Sequence, residues 1–201
     1  MKTLHPTKQL LLMTVVELLE KHSPEEINSE QVLELSNVSK GSLYHHYEDF
    51  PELIEEAVVF RFGKFVDQSV SMLTAAISSS RSREQLLSQV KDVTKLTQSA
   101  ALQNNRYQRI GAIDKAVRNE RMAKKLGEEQ ERLTQALADL FRESVEKGFG
   151  DPNLDPRSVS ILVQAYTLGK VVDDFTPNHV DPDKWTDLID LLLEKVFFTR
   201  G

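Results

Sequence analysis

A chain of 201 residues has room for one small domain and one larger one, each with a core. It contains no cysteine, which excludes disulfides, thiolate nucleophiles and thiolate metal sites. A formal charge of −6 excludes a surface that is basic all over, and leaves nucleic-acid contact to a local patch if there is one. No stretch approaches the ~18 apolar residues of a membrane helix. The start Met-Lys-Thr-Leu-His-Pro lacks a signal-peptide core, so a cytoplasmic protein with no membrane partner is expected. Helical periodicity is nearly unbroken and strand-type alternation is absent, which predicts an all-α fold. The first helix is expected over 7–22, with Leu11, Val15, Leu18 and Leu19 on its inner face.

Residues 28–50 carry the most information. Asn28 caps a short helix and Gln31 is placed to reach back to it, a capping box. Val32, Leu33 and Leu35 supply that helix with an apolar face, which ends at Ser36-Asn37. The turn needs positive φ at Asn37, which Asn tolerates better than most residues. Ser39 caps a second short helix, and Leu43 and Tyr47 point inward at i, i+4 spacing. Lys40, Gly41, Ser42, Tyr44 and His45 are left near its start or on its outer face, while His46 packs beneath it. Two short helices around a tight turn, presenting hydroxyls and one cation, suit a phosphate backbone and base edges. The pattern is a helix-turn-helix, at about 28–47.

Asp49 is placed to cap a long fourth helix, with Glu52 three residues on and Pro51 in the first turn, where a missing N–H costs little. That helix runs to the Ser78-Ser-Ser-Arg-Ser82 break. Further helices are expected over 84–98, over 103–117 with an irregularity near Gly111, and over 118–147. The last of these turns Met122, Leu126, Leu133, Leu137, Phe141 and Val145 inward and ends at Gly148 as its C′ residue. Loops at 150–156 and 176–182 precede the final two helices, at 157–174 and 183–198. Val159, Leu162, Val163, Tyr166, Gly169 and Lys170 form one face of the first. The second is apolar almost all round, through Leu188, Ile189, Leu191, Leu192, Leu193, Val196, Phe197 and Phe198. A helix so apolar must be covered on two sides, which suggests self-association.

The segment Val38-Ser-Lys-Gly-Ser-Leu-Tyr-His-His-Tyr47 closely resembles the turn and recognition helix of the TetR (tetracycline-repressor-like) family of transcriptional regulators. The resemblance is specific over about residues 7–60 and rests beyond them on helical content and length. It implies an N-terminal three-helix DNA-binding domain, residues 1–50, and a larger helical ligand-binding and dimerisation domain, residues 51–201. It implies a homodimer through a four-helix bundle of the last two helices of each protomer. It also implies an effector cavity between helices four, five, seven and eight. Phe62, Phe65, Tyr107 and Tyr166 are its candidate walls, and Arg106 or Arg109 the anchor for an acidic ligand. DNA contact falls to Ser39, Lys40, Gly41, Ser42, Tyr44 and His45, with Lys8 as a further cation.

Three positions depart from the family pattern. Asn37 stands where Gly is usual, Phe50 stands where a phosphate-gripping Lys is usual, and the N-terminal arm offers only Lys2, His5 and Lys8. Residues 1–50 hold four lysines against eight acids, a net of −4. Such a domain must concentrate its few cations at the contact face, and its non-specific affinity is expected to be weak. Enzymatic patterns are missing: there is no Gly-rich phosphate loop, no Glu-x-x-His pair and no Gly-x-Ser-x-Gly elbow. His45 and His46 point about 100° apart on a helix and do not chelate together, and no metal or cofactor is expected. Asp173-Asp174 reads as a solvated pair at a helix end. The expectation is a homodimeric, ligand-responsive repressor of a palindromic operator in double-stranded DNA, with an unknown small-molecule effector. The alternative is a helical adaptor or signalling protein of the same fold that has lost DNA binding.

Overall fold

The computed structural model describes residues 5–198, and these are helices joined by short turns. They run α1 (Pro6–Leu18), α2 (Ser29–Ser36), α3 (Lys40–His46), α4 (Phe50–Ser79), α5 (Arg83–Gln98), α6 (Gln103–Val117), α7 (Glu120–Glu146), α8 (Pro156–Gly169), α9 (Val171–Asp174) and α10 (Pro182–Leu192). A 3-10 turn, Ala100–Leu102, leads into α6, and a π-helical turn, Leu193–Phe197, follows α10. The described residues contain no strand. Lys2 lies outside them.

Side-chain caps set many of the helix starts. Asn28 accepts from the Gln31 N–H at 2.9 Å, Ser39 from Ser42 at 3.2 Å, Asp49 from Glu52 at 2.6 Å and Ser82 from Gln85 at 3.2 Å. Only half of the expected capping box forms at α2, because Gln31 does not return a bond to Asn28. At α4 the Glu52 carboxylate reaches one residue past the cap, to the N–H of Glu48 at 2.8 Å. Asn37 takes φ 52°, as the turn requires, and Gly148 takes φ 73° just after α7.

Three buried clusters organise the chain. The first joins α1, α2 and α3 to the start of α4: Leu11, Val15, Val32, Leu43, Tyr47, Leu53 and Ala57 are all at most 2% exposed. The second and third lie along α4, α7 and the C-terminal helices, around Phe141, Phe197 and Phe198 and around Phe62, Val66, Met122 and Leu126. α4 therefore contributes to both ends of the molecule, a single 30-residue rod between them.

Several expectations are corrected. α1 stops at Leu18 rather than at residue 22, and Arg61 of α4 donates to the Leu19 carbonyl at 2.7 Å, an external partner for the frayed end. Leu35 is 62% exposed, so α2 packs through Val32 and Leu33 alone. α6 is regular through Gly111. The helix expected over 157–174 breaks at Lys170 into α8 and α9. On α8, Val159, Val163 and Tyr166 pack against the core, so the outward face is Ile161, Leu162 and Gly169 instead. Asp173 and Asp174 are not solvated. Asp174 holds Arg106 in a buried pair, and Asp173 accepts from Lys170 and from the Val180 N–H at 2.7 Å. No helix among the described residues is long and apolar enough to cross a membrane.

Candidate nucleic-acid interface and effector cavity

α3 is held from below and open above. Leu43 is fully buried and Tyr47 is 2% exposed; burial, then Glu56 and Glu52, push its hydroxyl well above the usual tyrosine range. Lys40, Gly41, Tyr44 and His45 are exposed, Ser42 is half-buried, and the Ser39 hydroxyl is occupied by its cap. Lys40 makes no ion pair among the described residues. Lys8 is differently placed: its ammonium lies 3.0 Å from Glu56 and 4.8 Å from the Tyr47 ring centre, half-buried at the foot of α1. His46 sits under α3, its ring 4.7 Å from that of His5 and 5.1 Å from that of His45. Burial, then the charges of His5, His45 and Lys8, hold its pKa below the ordinary histidine value.

Part of the acidity of the N-terminal residues is met by cations from further along the chain. Glu20 lies 3.7 Å from Arg61, and Glu25 pairs with Lys115 of α6. Arg121 of α7 binds Glu55 at 2.7 Å and Asp49 at 3.1 Å and reaches Glu48 at 3.5 Å. Lys125 lies 3.6 Å from Glu52 and 3.7 Å from Glu56. Asn119 adds a 2.6 Å bond to Glu55. These carboxylates are thus engaged by cations of α4, α6 and α7. No motif in the sequence pairs them, because the partners lie 41 to 90 residues apart.

Two spaces open further along α4. A cleft of about 710 Å³ lies between the end of α1, α4 and α6, and Phe62, Phe65, Tyr107 and Arg109 line it. A smaller, mostly apolar cavity of about 110 Å³ lies between α4, α5, α7, α8 and the C-terminal turn. Phe65, Arg109 and Tyr166 line this one, so Phe65 and Arg109 border both spaces. Burial raises the pKa of Tyr166, opposed by its hydrogen bond with Thr94. Arg106 lines neither space. Its guanidinium binds Asp174 at 2.9 and 3.0 Å and donates to the carbonyls of Thr97, in the last turn of α5, and Ser99, just beyond it. No group of three or more metal-binding side chains is present among the described residues.

No protein-family model matches the chain, and no curated protein sequence matches it. Solved structures do. A TetR-family transcriptional regulator of Mesorhizobium loti, itself described as putative, superposes with a TM-score of 0.68 at 15% identity, covering 92% of this chain and 91% of that one. The fold is that of TetR-family regulators. A regulator from Saccharomonospora viridis, solved in complex with choline, gives 0.66 at 11% identity, with 96% and 98% of the chains covered. The reduced form of NemR from E. coli gives 0.64 at 16% identity over 98% and 99%. These matches cover 92 to 98% of the chain, so the likeness extends into the C-terminal helices, where the sequence offered only helical content.

Proposed function

We propose that the chain is a DNA-binding transcriptional regulator, a ligand-responsive repressor that binds a palindromic operator as a homodimer, and not an enzyme. The observation that carries this reading is the outer face of α3. Lys40 is exposed and unpaired there beside Gly41, Tyr44 and His45, in a domain whose neighbouring carboxylates are turned towards α6 and α7. Lys40 and Tyr44 reach phosphate or a base edge, and Gly41 lets the backbone come close. Lys8, tied to Glu56 and Tyr47, contributes by bracing α3 from α1. Four of the eight acids of residues 1–50, Glu20, Glu25, Glu48 and Asp49, lie against cations of α4, α6 and α7, which reduces the bare negative charge of that region.

Two copies associate through the outer faces of α8 and α10, where Ile161, Leu162, Leu188 and Leu191 are 43 to 57% exposed. Exposed apolar sets of this kind on two helices fit a helix-bundle interface. α4 is the transmission element. It is capped at Asp49, directly after the recognition helix, and its middle borders both spaces described above. Effector binding tilts this rod and changes the spacing of the two recognition helices, which must enter successive major grooves about 34 Å apart. Release of DNA then follows as a population shift.

The test is selection of genomic fragments by the pure chain, followed by footprinting at physiological salt. Paired protections about one helical turn apart, centred on an inverted repeat, are expected. Enrichment no better than bulk DNA would overturn the reading. Once an effector is in hand, calorimetry must show reciprocity, operator weakening effector binding by the factor that effector weakens operator binding.

A further inference from the structure

The two buried arginines of α6 have opposite environments. Arg106, 3% exposed, is saturated: a bidentate carboxylate on one side and two helix-end carbonyls on the other. Arg109, one turn on and 5% exposed, has no carboxylate near it, and its Nε has no acceptor. Its guanidinium lies 4.2 Å from the Phe65 ring centre and 6.0 Å from that of Phe62. Burial pushes its pKa down to about 10, so it stays protonated at neutral pH. A buried cation without a counter-ion is unfavourable, and stacking on an aromatic ring offsets only part of the desolvation.

The surroundings say what completes it. Arg109 stands at the junction of the two spaces: the larger cleft on one side, the apolar cavity on the other. The cavity walls include Leu73, Val90, Leu137, Phe141 and Val163, and no Asp or Glu. Arg109 is the only charged residue among them. A planar fork of donors against an apolar pocket matches a carboxylate carried on a hydrophobic body.

We propose that the effector is an amphipathic carboxylic acid, its carboxylate seated on Arg109 and its apolar part in the cavity between α4, α5, α7 and α8. This rests on the reading of the chain as an effector-regulated protein and gives that effector a chemical class. Arg109 is the receptor; Arg106 holds α6 to α5 and α9 and takes no part in binding. The carboxylate supplies the missing counter-ion, so binding stabilises the native state at the point where it is least satisfied.

The experiment is a thermal melt of the full chain in millimolar octanoate or 4-phenylbutyrate. Their methyl esters and octyltrimethylammonium are the matched neutral and cationic probes. Each acid that fits should raise Tm by a few degrees, and the esters and the cation should not. R109M should melt above the wild type without ligand, since it removes a buried unpaired charge, and should lose the response to acids. R109K keeps the charge but not the fork, so it should keep the preference for acid over ester at reduced affinity. The proposal is overturned if the esters stabilise as well as the acids, if neither acid stabilises, or if R109M responds undiminished. The melts contain no DNA, so a chain that prefers acids but shifts no operator would keep this inference and lose the regulator reading.

Discussion

Arg121 ties α7 to the start of α4, immediately behind α3, and Arg121→Ala should loosen that junction measurably. Its guanidinium makes two bonds to Glu55, at 2.7 and 3.0 Å, and two to Asp49, at 3.1 and 3.5 Å. The Glu48 contact, at 3.5 Å to a side chain 82% exposed, adds little. Asp49 is about half exposed, and its pair with Arg121 is worth at most ~0.5 kcal/mol. Glu55 dominates, because its side chain is 10% exposed and keeps only Asn119 after the substitution. Losing charge-assisted bonds to a group that shielded costs about 1.5–3 kcal/mol. The sum is roughly 2–3 kcal/mol, which for a chain of this size lowers Tm by roughly 5–10 °C. Circular dichroism melts measure it, with Arg157→Ala as the control. Arg157 makes two 2.7 Å bonds to Glu131, but both side chains are more than half exposed, and no shift is expected. Adding Glu55→Gln to Arg121→Ala should restore part of the loss by removing the orphaned charge. An Arg121→Ala protein that melts with the Arg157→Ala control would refute the reasoning and make the junction a surface ion pair of no consequence.

Other expectations follow from the same geometry. Lys40→Ala should weaken operator binding by roughly 1–3 kcal/mol if Lys40 reads a base, and flatten the salt dependence if it grips phosphate; unchanged affinity at two salt concentrations would remove it from the interface. Gly41→Ala should leave the fold intact, since an added Cβ meets only the Ser39 hydroxyl at 4.0 Å. It should nevertheless weaken operator binding by crowding the DNA, and unaltered footprints would show that the backbone does not come close there. Leu188→Glu, at a 57% exposed position, should give soluble folded monomers by light scattering; an intact dimer would move the interface elsewhere. Stability should fall on acidification. His46 has a lowered pKa, so its contribution is complete above the ordinary value of 6.5 and is lost as pH falls below it. Asp49 is held low by the Glu52 N–H and then Arg121, Glu25 by Lys115 and Glu194 by Lys91; their contributions are lost only as pH falls through those lowered values. A Tm that rises from pH 7 to pH 5 would contradict the histidine assignment, and one that does not fall from pH 5 to pH 3 would contradict the carboxylate one.

Local chemistry made much of this protein legible in its sequence. The N-caps Asn28 and Ser39, the positive φ at Asn37 and the i, i+4 pair Leu43 and Tyr47 depend on neighbours a few positions away and formed as the residue types require, while the return half of the Asn28 capping box did not. The all-α class and most of the helix boundaries follow from the same short-range rules. Tertiary structure decided everything that depends on distant partners. Spacing put Val159, Val163 and Tyr166 on one helix face without saying whether it was the inner or the outer one, because both faces of α8 are apolar. Arg106 and Arg109, three residues apart and equally buried, read alike in sequence. Asp174, 68 residues from Arg106, neutralises one and leaves the other bare. The acids of the N-terminal region likewise gained their meaning only when folding set α6 and α7 against them. Charge pairing over such separations is a property of the packed helices: helical periodicity records which way a side chain points along its own axis and carries no information on what stands opposite.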